Sequence, residues 1–139
     1  MQKFILPILV LVTFAAGSLS STQIDSWYFS LNKAPLNPPG YVFGIVWPIL
    51  YLLMAIVGYL NSIEIFKPFV IQLFLNGLWS WLFFAWHLPL VALFDILLLI
   101  GVNVHIFKKL DTGSRLMHLP YLVWLSFATY LNAGIVILN

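Results

Sequence analysis

Aromatic and polar side chains recur at helical spacing in three apolar segments of the sequence, and residues three or four positions apart share one face of a helix. The three series are Phe43, Trp47 and Tyr51; Gln72, Asn76, Trp79, Ser80 and Phe83; and Trp124, Ala128, Leu131 and Asn132. Rings stack on flat apolar molecules, while amides and indole N–H groups orient polar substituents, so three such faces that converge predict a ligand cavity. The alternative is packing, in which Asn and Ser bond between helices and rings fill volume.

Other chemistry has little support in the residue types. Asp95 is the only acid well inside an apolar segment, where a carboxylate is either a functional group or a buried acceptor for an indole or an Asn amide. The three histidines share no metal-ligand spacing, and we expect two of them, His87 and His118, to flank loops. The sequence contains no catalytic triad, P-loop or dinucleotide fingerprint. We therefore predict no metal site, no resident cofactor, and no conventional hydrolytic or nucleotide chemistry.

The composition indicates the medium in which these faces are positioned. The 139 residues are 63% hydrophobic and 7% charged, with a mean hydropathy of +1.03. So little polar surface cannot cover a water-soluble globule, which predicts an integral membrane protein in contact with the lipid bilayer. A net charge of +2 without clustered Lys and Arg argues against nucleic acid as a partner. The absence of cysteine excludes disulfides and thiolate sites.

Five apolar segments, separated by charged, polar or proline-containing stretches, predict five membrane-spanning helices in a single domain, 1–139. The predicted spans are 4–21, 41–60, 69–86, 90–107 and 119–138. The predicted fold class is therefore all-α, a bundle of five transmembrane helices. The first span also resembles a secretory signal that ends in Ser18-Leu19-Ser20. We favour a retained span, because small residues recur every four positions along it, as in packed membrane helices.

Basic residues predict the orientation of the five spans. One side of the membrane would hold Lys3, Lys67, Lys108, Lys109 and Arg115, and the other side would hold Lys33. The positive-inside rule then places the N-terminus inside, and the first loop and the C-terminus outside.

The first loop, residues 22–40, combines prolines with the aromatic residues Trp27 and Tyr28. Prolines lower the entropy cost of ordering an irregular segment, and aromatic rings suit the membrane boundary. The loop is therefore predicted to act as a lid over an apolar cavity. A proline-rich connector with interfacial aromatic anchors is the alternative.

Four blocks of sequence, in order, resemble the TspO/MBR family, the translocator proteins also called peripheral-type benzodiazepine receptors. The blocks are WYFSLNK with the following PP and VFGIVWPILYLLM; LNGLWSWLFF at 75–84; ALFDILLL at 92–99; and PYLVWLSFATYLN at 120–132. The resemblance implies a five-helix membrane protein, usually a homodimer, that binds tetrapyrroles such as protoporphyrin IX and haem under its first loop.

Residue by residue, the resemblance implies a set of ligand contacts. They are Tyr28, Pro38, Trp47, Tyr51, Asn76, Trp79, Ser80, Trp124, Ala128 and Leu131. Most of them lie on the three faces found from spacing, which add Phe43 to the predicted ligand-binding residues.

The sequence departs from the family pattern in two places. Ala34 and Leu36 stand where the family usually has proline and tryptophan, which leaves the lid geometry open. No Lys or Arg follows Tyr130, so the cholesterol motif of animal members is missing. We therefore expect a bacterial member, in the inner membrane.

Three classes of function stay open from the sequence. A receptor, sensor or transporter of porphyrin-like molecules needs only a cavity and a lid. Light-dependent breakdown of porphyrin would need redox-capable groups, for which Trp47 and Trp124 are the candidates, with the excited pigment supplying the chemistry. A structural or interaction protein needs no ligand.

Overall fold

The computed structural model describes residues 2–21, 26–38 and 40–139, and these residues form helices and no β-strand. A 3₁₀ turn, Gln2–Phe4, precedes the first helix. The helices are α1 (Ile5–Ser21), α2 (Ser26–Ser30), α3 (Gly40–Leu60), α4 (Ser62–Ser80), α5 (Pro89–Lys109) and α6 (Thr112–Leu138). The all-α fold class predicted from the sequence is confirmed.

Five of these helices suit a membrane. Four segments are each long and apolar enough to cross a membrane. They are α3, α5, α6, and α4 extended by the π-helical turn Trp81–Ala85 that follows it. α1 is an apolar helix of 17 residues, at the lower limit of the roughly 17–25 that a span requires. Each of the five exposes large apolar side chains, such as Leu11, Leu52, Phe74, Phe94 and Val123. The molecule is thus an integral membrane bundle whose apolar exterior faces lipid.

The five long helices pack as a closed ring in the order α1, α3, α6, α5, α4, and α4 also touches α3 across the ring. Each of the five helices contributes fully buried apolar side chains to the interior, such as Val10, Met54, Phe69, Ile96 and Leu125. The order matters for function, because it places α1 beside both α3 and α4.

Two helices begin earlier than the predicted spans. α4 begins at Ser62 and continues through Pro68, whose missing N–H removes only the helical hydrogen bond to the carbonyl of the exposed residue Glu64. α6 begins at Thr112 because the side chain of Asp111 accepts a hydrogen bond from the Ser114 N–H at 2.8 Å, an N-terminal cap. His118 therefore lies inside α6 and is buried. The expectation that it flanks a loop is wrong.

The bundle has two distinguishable ends. At the lid end, the N–H of Asn32 donates to Oδ1 of Asn139 at 3.0 Å, so the first loop and the last residue lie together. At the basic end, Nζ of Lys3 lies 5.5 Å from the centroid of the Tyr59 ring. There the Arg115 guanidinium also donates to the carbonyls of Phe107 and Lys108, each at 3.0 Å, and closes the end of α5.

Candidate ligand-binding cavity

A cavity of about 760 Å³ lies between α1, α3 and α4 at the lid end. This volume falls within the roughly 300–1,000 Å³ that is usual for small-molecule sites. Residues of the first loop cover it, among them Tyr28, Phe29 and Pro38. The fold therefore leaves open space where α1 meets the two helices that carry the first two predicted faces.

Aromatic rings form the walls of the cavity. On α3, the ring centroids of Trp47 and Tyr51 lie 5.7 Å apart. Phe14 of α1 meets Tyr51 edge-on at 5.1 Å, and Trp79 and Phe84 of α4 and its π turn complete the lining. Such rings can stack on the faces of a flat ligand and exclude water from it.

Gly17 of α1 is one reason that this space exists. A Cβ atom at Gly17 would lie 3.7 Å from the Tyr51 hydroxyl oxygen and 3.8 Å from Oγ of Ser80. Any side chain longer than alanine would extend into the junction of α1, α3 and α4. The glycine thus leaves room beside two polar groups of the cavity wall.

The lid is anchored through the rings of its short helix α2. Tyr28 contacts Phe84 at 5.5 Å and Phe83 at 6.1 Å between centroids. Trp27 stacks on His87 at 4.1 Å with an interplanar angle of 10°. Phe83 and Phe84 belong to the π-helical turn, in which the Trp86 N–H bonds to the Trp81 carbonyl at 2.9 Å. π-Helical turns often occur at functional sites, and here the turn presents the rings on which the lid rests.

The rest of the lid is fastened to α6. The Tyr130 hydroxyl donates to the Pro35 carbonyl at 2.7 Å. Ala34 is buried against Gly134, where an added Cβ would lie only 2.5 Å from that of Ala34. The small residues at both positions therefore permit close approach of the lid to α6. Leu36, at the other departure from the family pattern, is 82% exposed with a φ of 71° and lies outside the cavity lining.

Tyr28 of the lid is half-buried. Burial raises its pKa above the usual value of about 10, and a hydrogen bond with the Asn37 side chain partly offsets the rise. The phenol therefore stays neutral at physiological pH and presents a polar, uncharged group at the cavity.

The structure divides the predicted ligand-binding residues into two sets. Those that line the cavity are Tyr28, Pro38, Phe43, Trp47, Tyr51, Trp79 and Ser80. Those that lie outside its lining are Asn76, Trp124, Ala128 and Leu131. Trp124 stands directly behind the wall, edge-on to Trp47 at 6.1 Å and to Phe43 at 5.6 Å. The first loop, α3 and α4 thus converge on the cavity, while the face of α6 packs behind it.

Asn76 begins a chain of buried hydrogen bonds. Its Oδ1 accepts from the Tyr51 hydroxyl, and its Nδ2 donates to the Tyr121 hydroxyl at 2.7 Å. Tyr121 in turn donates to Oε1 of Gln72 at 2.8 Å. These bonds connect α3, α4 and α6, which is the packing role that the sequence left open for Asn76.

The chain continues from Gln72 toward the basic end. Nδ2 of Asn103 lies 3.3 Å from Oε1 of Gln72, and Oδ1 of Asn103 lies 3.0 Å from Nε2 of His118. All three residues are at most 1% exposed. The α5 helix therefore joins the same polar core through Asn103.

Three buried polar atoms have no hydrogen-bond partner among the described residues. They are Nε1 of Trp124, Nδ1 of His118 and Oδ2 of Asp95. The structure thus offers Oδ2 of Asp95 neither the indole nor the Asn amide that a packing role would supply. Trp79 differs, because its Nε1 donates to Oδ1 of Asn132 at 2.9 Å.

Sequence reasoning missed part of the lining. The additional residues are Phe14, Gly17, Ser18, Ser20, Phe29, Lys33, Asn37, Gly44, Pro48 and Phe84. Those on α1 form no aromatic or polar series, so periodicity could not select them. Lys33 and Asn37 could have been found, because they are polar residues within a segment predicted to be a lid.

Comparison with known proteins matches the sequence to the TspO/MBR family over residues 4–138. The chain belongs to the TspO/MBR family. The resemblance drawn from the four sequence blocks is confirmed. Among TspO/MBR relatives, the chain is 36% identical to the "Tryptophan-rich protein TspO" of Archaeoglobus fulgidus, over 92% of this chain and 90% of that protein.

Two further TspO/MBR relatives come from distant organisms. The chain is 33% identical to the "Tryptophan-rich sensory protein" of Cereibacter sphaeroides, over 83% of this chain and 78% of that protein. It is also 33% identical to the "Translocator protein" of Homo sapiens, over 76% of this chain and 70% of that protein. The family therefore includes bacterial, archaeal and animal proteins.

Proposed function

We propose that this protein is a membrane receptor or transporter that binds tetrapyrroles such as protoporphyrin IX and haem, together with related flat apolar ligands. The observation that carries the proposal is the cavity of about 760 Å³, walled by Trp47, Tyr51 and Trp79 and covered by the first loop. A flat conjugated ring gains most from such walls, because it stacks on each of them. The names "sensory" and "translocator" given to relatives agree with a ligand-handling role.

The test is a titration of the detergent-solubilised protein with protoporphyrin IX, followed by absorption and by quenching of tryptophan fluorescence. Gly17→Leu places a branched side chain beside Tyr51 and Ser80 in the cavity. Competition for that space should weaken binding about five- to 150-fold, because overpacking costs typically 1–3 kcal/mol.

Gly101→Leu is the matched control. Gly101 is also a helical glycine, on α5 outside the cavity lining, and a Cβ there meets nothing within 4 Å. Both substitutions gain the same helix propensity. We expect the Gly101→Leu variant to bind as the parent does. Unchanged binding in Gly17→Leu, or no spectral change with the parent, would refute the proposal.

Light-dependent breakdown of the bound porphyrin is a second candidate. Trp47 lines the cavity and Trp124 packs edge-on behind it at 6.1 Å, so an excited ligand would have two indoles in series. Illumination with oxygen present separates the functions. Multiple turnovers of bleaching by the parent, lost in a Trp47→Phe, Trp124→Phe variant that still binds, would make breakdown the primary function. Binding without turnover supports the receptor.

The membrane arrangement is part of the same proposal. We place the protein in a bacterial inner membrane as a homodimer, with its N-terminus and basic end inside and its lid end outside. The five-to-one distribution of basic residues supports this orientation. Cysteines introduced at Asn37 and Thr112 of this cysteine-free chain should label from opposite sides of intact membranes. Labelling from one side alone would refute it.

A further inference from the structure

Lys33 is the one charged side chain in the described lining of the cavity. It lies in the lid, five residues after Tyr28, whose ring contacts the π turn, and its side chain is half-buried. A partly desolvated ammonium in a largely apolar cavity favours an anion as its neighbour. The charge therefore bears on which flat molecules the cavity accepts.

The surroundings of Lys33 hold its ammonium without neutralising it. Nζ donates to the carbonyl oxygens of Tyr28 at 2.9 Å and Leu31 at 3.3 Å. It also lies 4.6 Å from the centroid of the Tyr28 ring. An ammonium has three N–H donors, so these two bonds leave one unused. Among the described residues, no carboxylate forms an ion pair with Lys33.

The charge in the cavity lining is confined to the lid. Lys33 and the polar Asn37 contribute to the lining there. The rest of the lining consists mainly of aromatic rings, such as that of Trp47, and its further polar groups are uncharged hydroxyls, such as those of Tyr51 and Ser80. A ligand that matches this arrangement has a flat apolar body and an anionic group on one edge.

We infer that Lys33 selects ligands that carry a carboxylate on the edge of the ring, and binds that carboxylate at the lid while the ring lies between the aromatic walls. A charge-assisted N–H···O bond to the unused donor, in a site shielded from water, supplies the selectivity. This inference rests on the proposed function, and it adds the charge of the ligand and its orientation in the cavity.

The test compares protoporphyrin IX, which has two carboxylates, with its uncharged dimethyl ester. Both are titrated against the parent, Lys33→Met, Lys33→Arg and Lys67→Met. The measured quantity is the ratio of the two dissociation constants, ester over acid, for each protein. Because partition of each porphyrin into detergent is the same for every variant, it cancels when these ratios are compared.

We expect Lys33→Met to lower the ratio roughly five- to tenfold, as expected for the loss of one partly buried charge-assisted bond. Lys33→Arg should keep most of the ratio, because it keeps the charge. Lys67→Met removes a cation from an exposed position on α4 outside the cavity lining and should leave the ratio unchanged.

The other outcomes separate the two hypotheses. If Lys33→Met weakens acid and ester equally, Lys33 only shapes the lid and the inference is overturned. The inference is also overturned if the ester-over-acid ratio of dissociation constants is the same for the parent and for Lys33→Met. If the parent binds neither porphyrin, the proposed function fails and the inference with it. If the parent binds both but the ratio does not depend on Lys33, only the inference fails.

Discussion

Hydroxyl and amide side chains occur both in the cavity at the lid end and in the polar core behind it, but their hydrogen bonding differs between the two regions. In the core, the hydroxyl of Tyr121 both accepts from Asn76 and donates to Gln72. At the cavity, the hydroxyl of Ser80 makes no hydrogen bond to another described residue. Tyr51 belongs to both regions, because its ring lines the cavity and its hydroxyl bonds to Asn76.

The difference shows what a polar stripe on a membrane helix does and does not reveal. Helical spacing identifies a face. The neighbouring helices then determine whether the polar side chains on that face find hydrogen-bond partners or border open space. Around Asn76, α3 and α6 supply a tyrosine each, and the two hydroxyls bond to the Asn76 amide. Around Ser80, α1 supplies only a glycine, and space remains. Open space with unsatisfied donors indicates a ligand, whereas saturated bonds indicate packing.

Trp47→Ala should produce the largest change in binding. It removes one aromatic wall of the cavity, and stacking of a flat ring on an aromatic side chain contributes about 1–3 kcal/mol. We expect protoporphyrin IX to bind about 5- to 150-fold more weakly, as measured by fluorescence titration. Phe94→Ala, which removes an exposed ring on α5, is the control and should bind as the parent does. Equal effects from the two variants would remove the distinction between cavity and exterior.

Tyr121→Phe should show the opposite pattern. The substitution keeps the ring but leaves Nδ2 of Asn76 without its acceptor and Oε1 of Gln72 with one donor fewer. Polar bonds in membrane bundles contribute on average about 0.6 and up to about 1.7 kcal/mol. We expect the free energy of unfolding to fall by about 1–2 kcal/mol, measured by thermal denaturation in detergent, with porphyrin affinity changed by less than about twofold.

Tyr59→Phe is the control for this loss of stability. The ring of Tyr59 lies at the basic end and is 37% exposed, so its hydroxyl is not part of the polar core. Its removal should leave the stability close to that of the parent. A large loss of affinity in Tyr121→Phe, without a loss of stability, would mean that the core belongs to the binding site.

The sequence was sufficient for the bundle and for part of the cavity. Composition and apolar run length predict membrane helices directly, since lipid imposes both. The faces that spacing identified on α3 and α4 place Trp47, Tyr51 and Trp79 in the lining of the cavity. The sequence analysis began the last span at residue 119, but the earlier start of α6 could have been found, because the Asp111 cap three residues before Ser114 is a local signal that outweighs the proline at position 120.

The remaining part of the cavity depends on the order of helices around the ring, which no local pattern contains. Because α1 lies between α3 and α4, Phe14 and Gly17 line the cavity, although Phe14 belongs to no series in the sequence and Gly17 belongs to a small-residue series that indicates helix packing. Because α6 lies on the far side of α3, Ala128 and Leu131 are buried behind the wall. Likewise, the closeness of Ala34 to Gly134 follows from where the lid crosses α6, not from either residue alone.

The lid should respond to a smaller change than either region of the interior. Tyr130→Phe removes the 2.7 Å bond from the hydroxyl to the Pro35 carbonyl and leaves the ring in place, stacked on Phe127 at 6.1 Å. A hydrogen bond of this kind contributes about 0.5–1.5 kcal/mol. Its loss destabilises the closed position of the lid and leaves the packing of the helices unchanged. We therefore expect porphyrin to dissociate about two- to fivefold faster, as measured by stopped-flow displacement with apomyoglobin. The unfolding temperature should stay close to that of the parent, because the helices keep their packing. An unchanged dissociation rate would show that the first loop does not limit escape from the cavity, and that the rings of Trp27 and Tyr28 on the π turn merely anchor a connector.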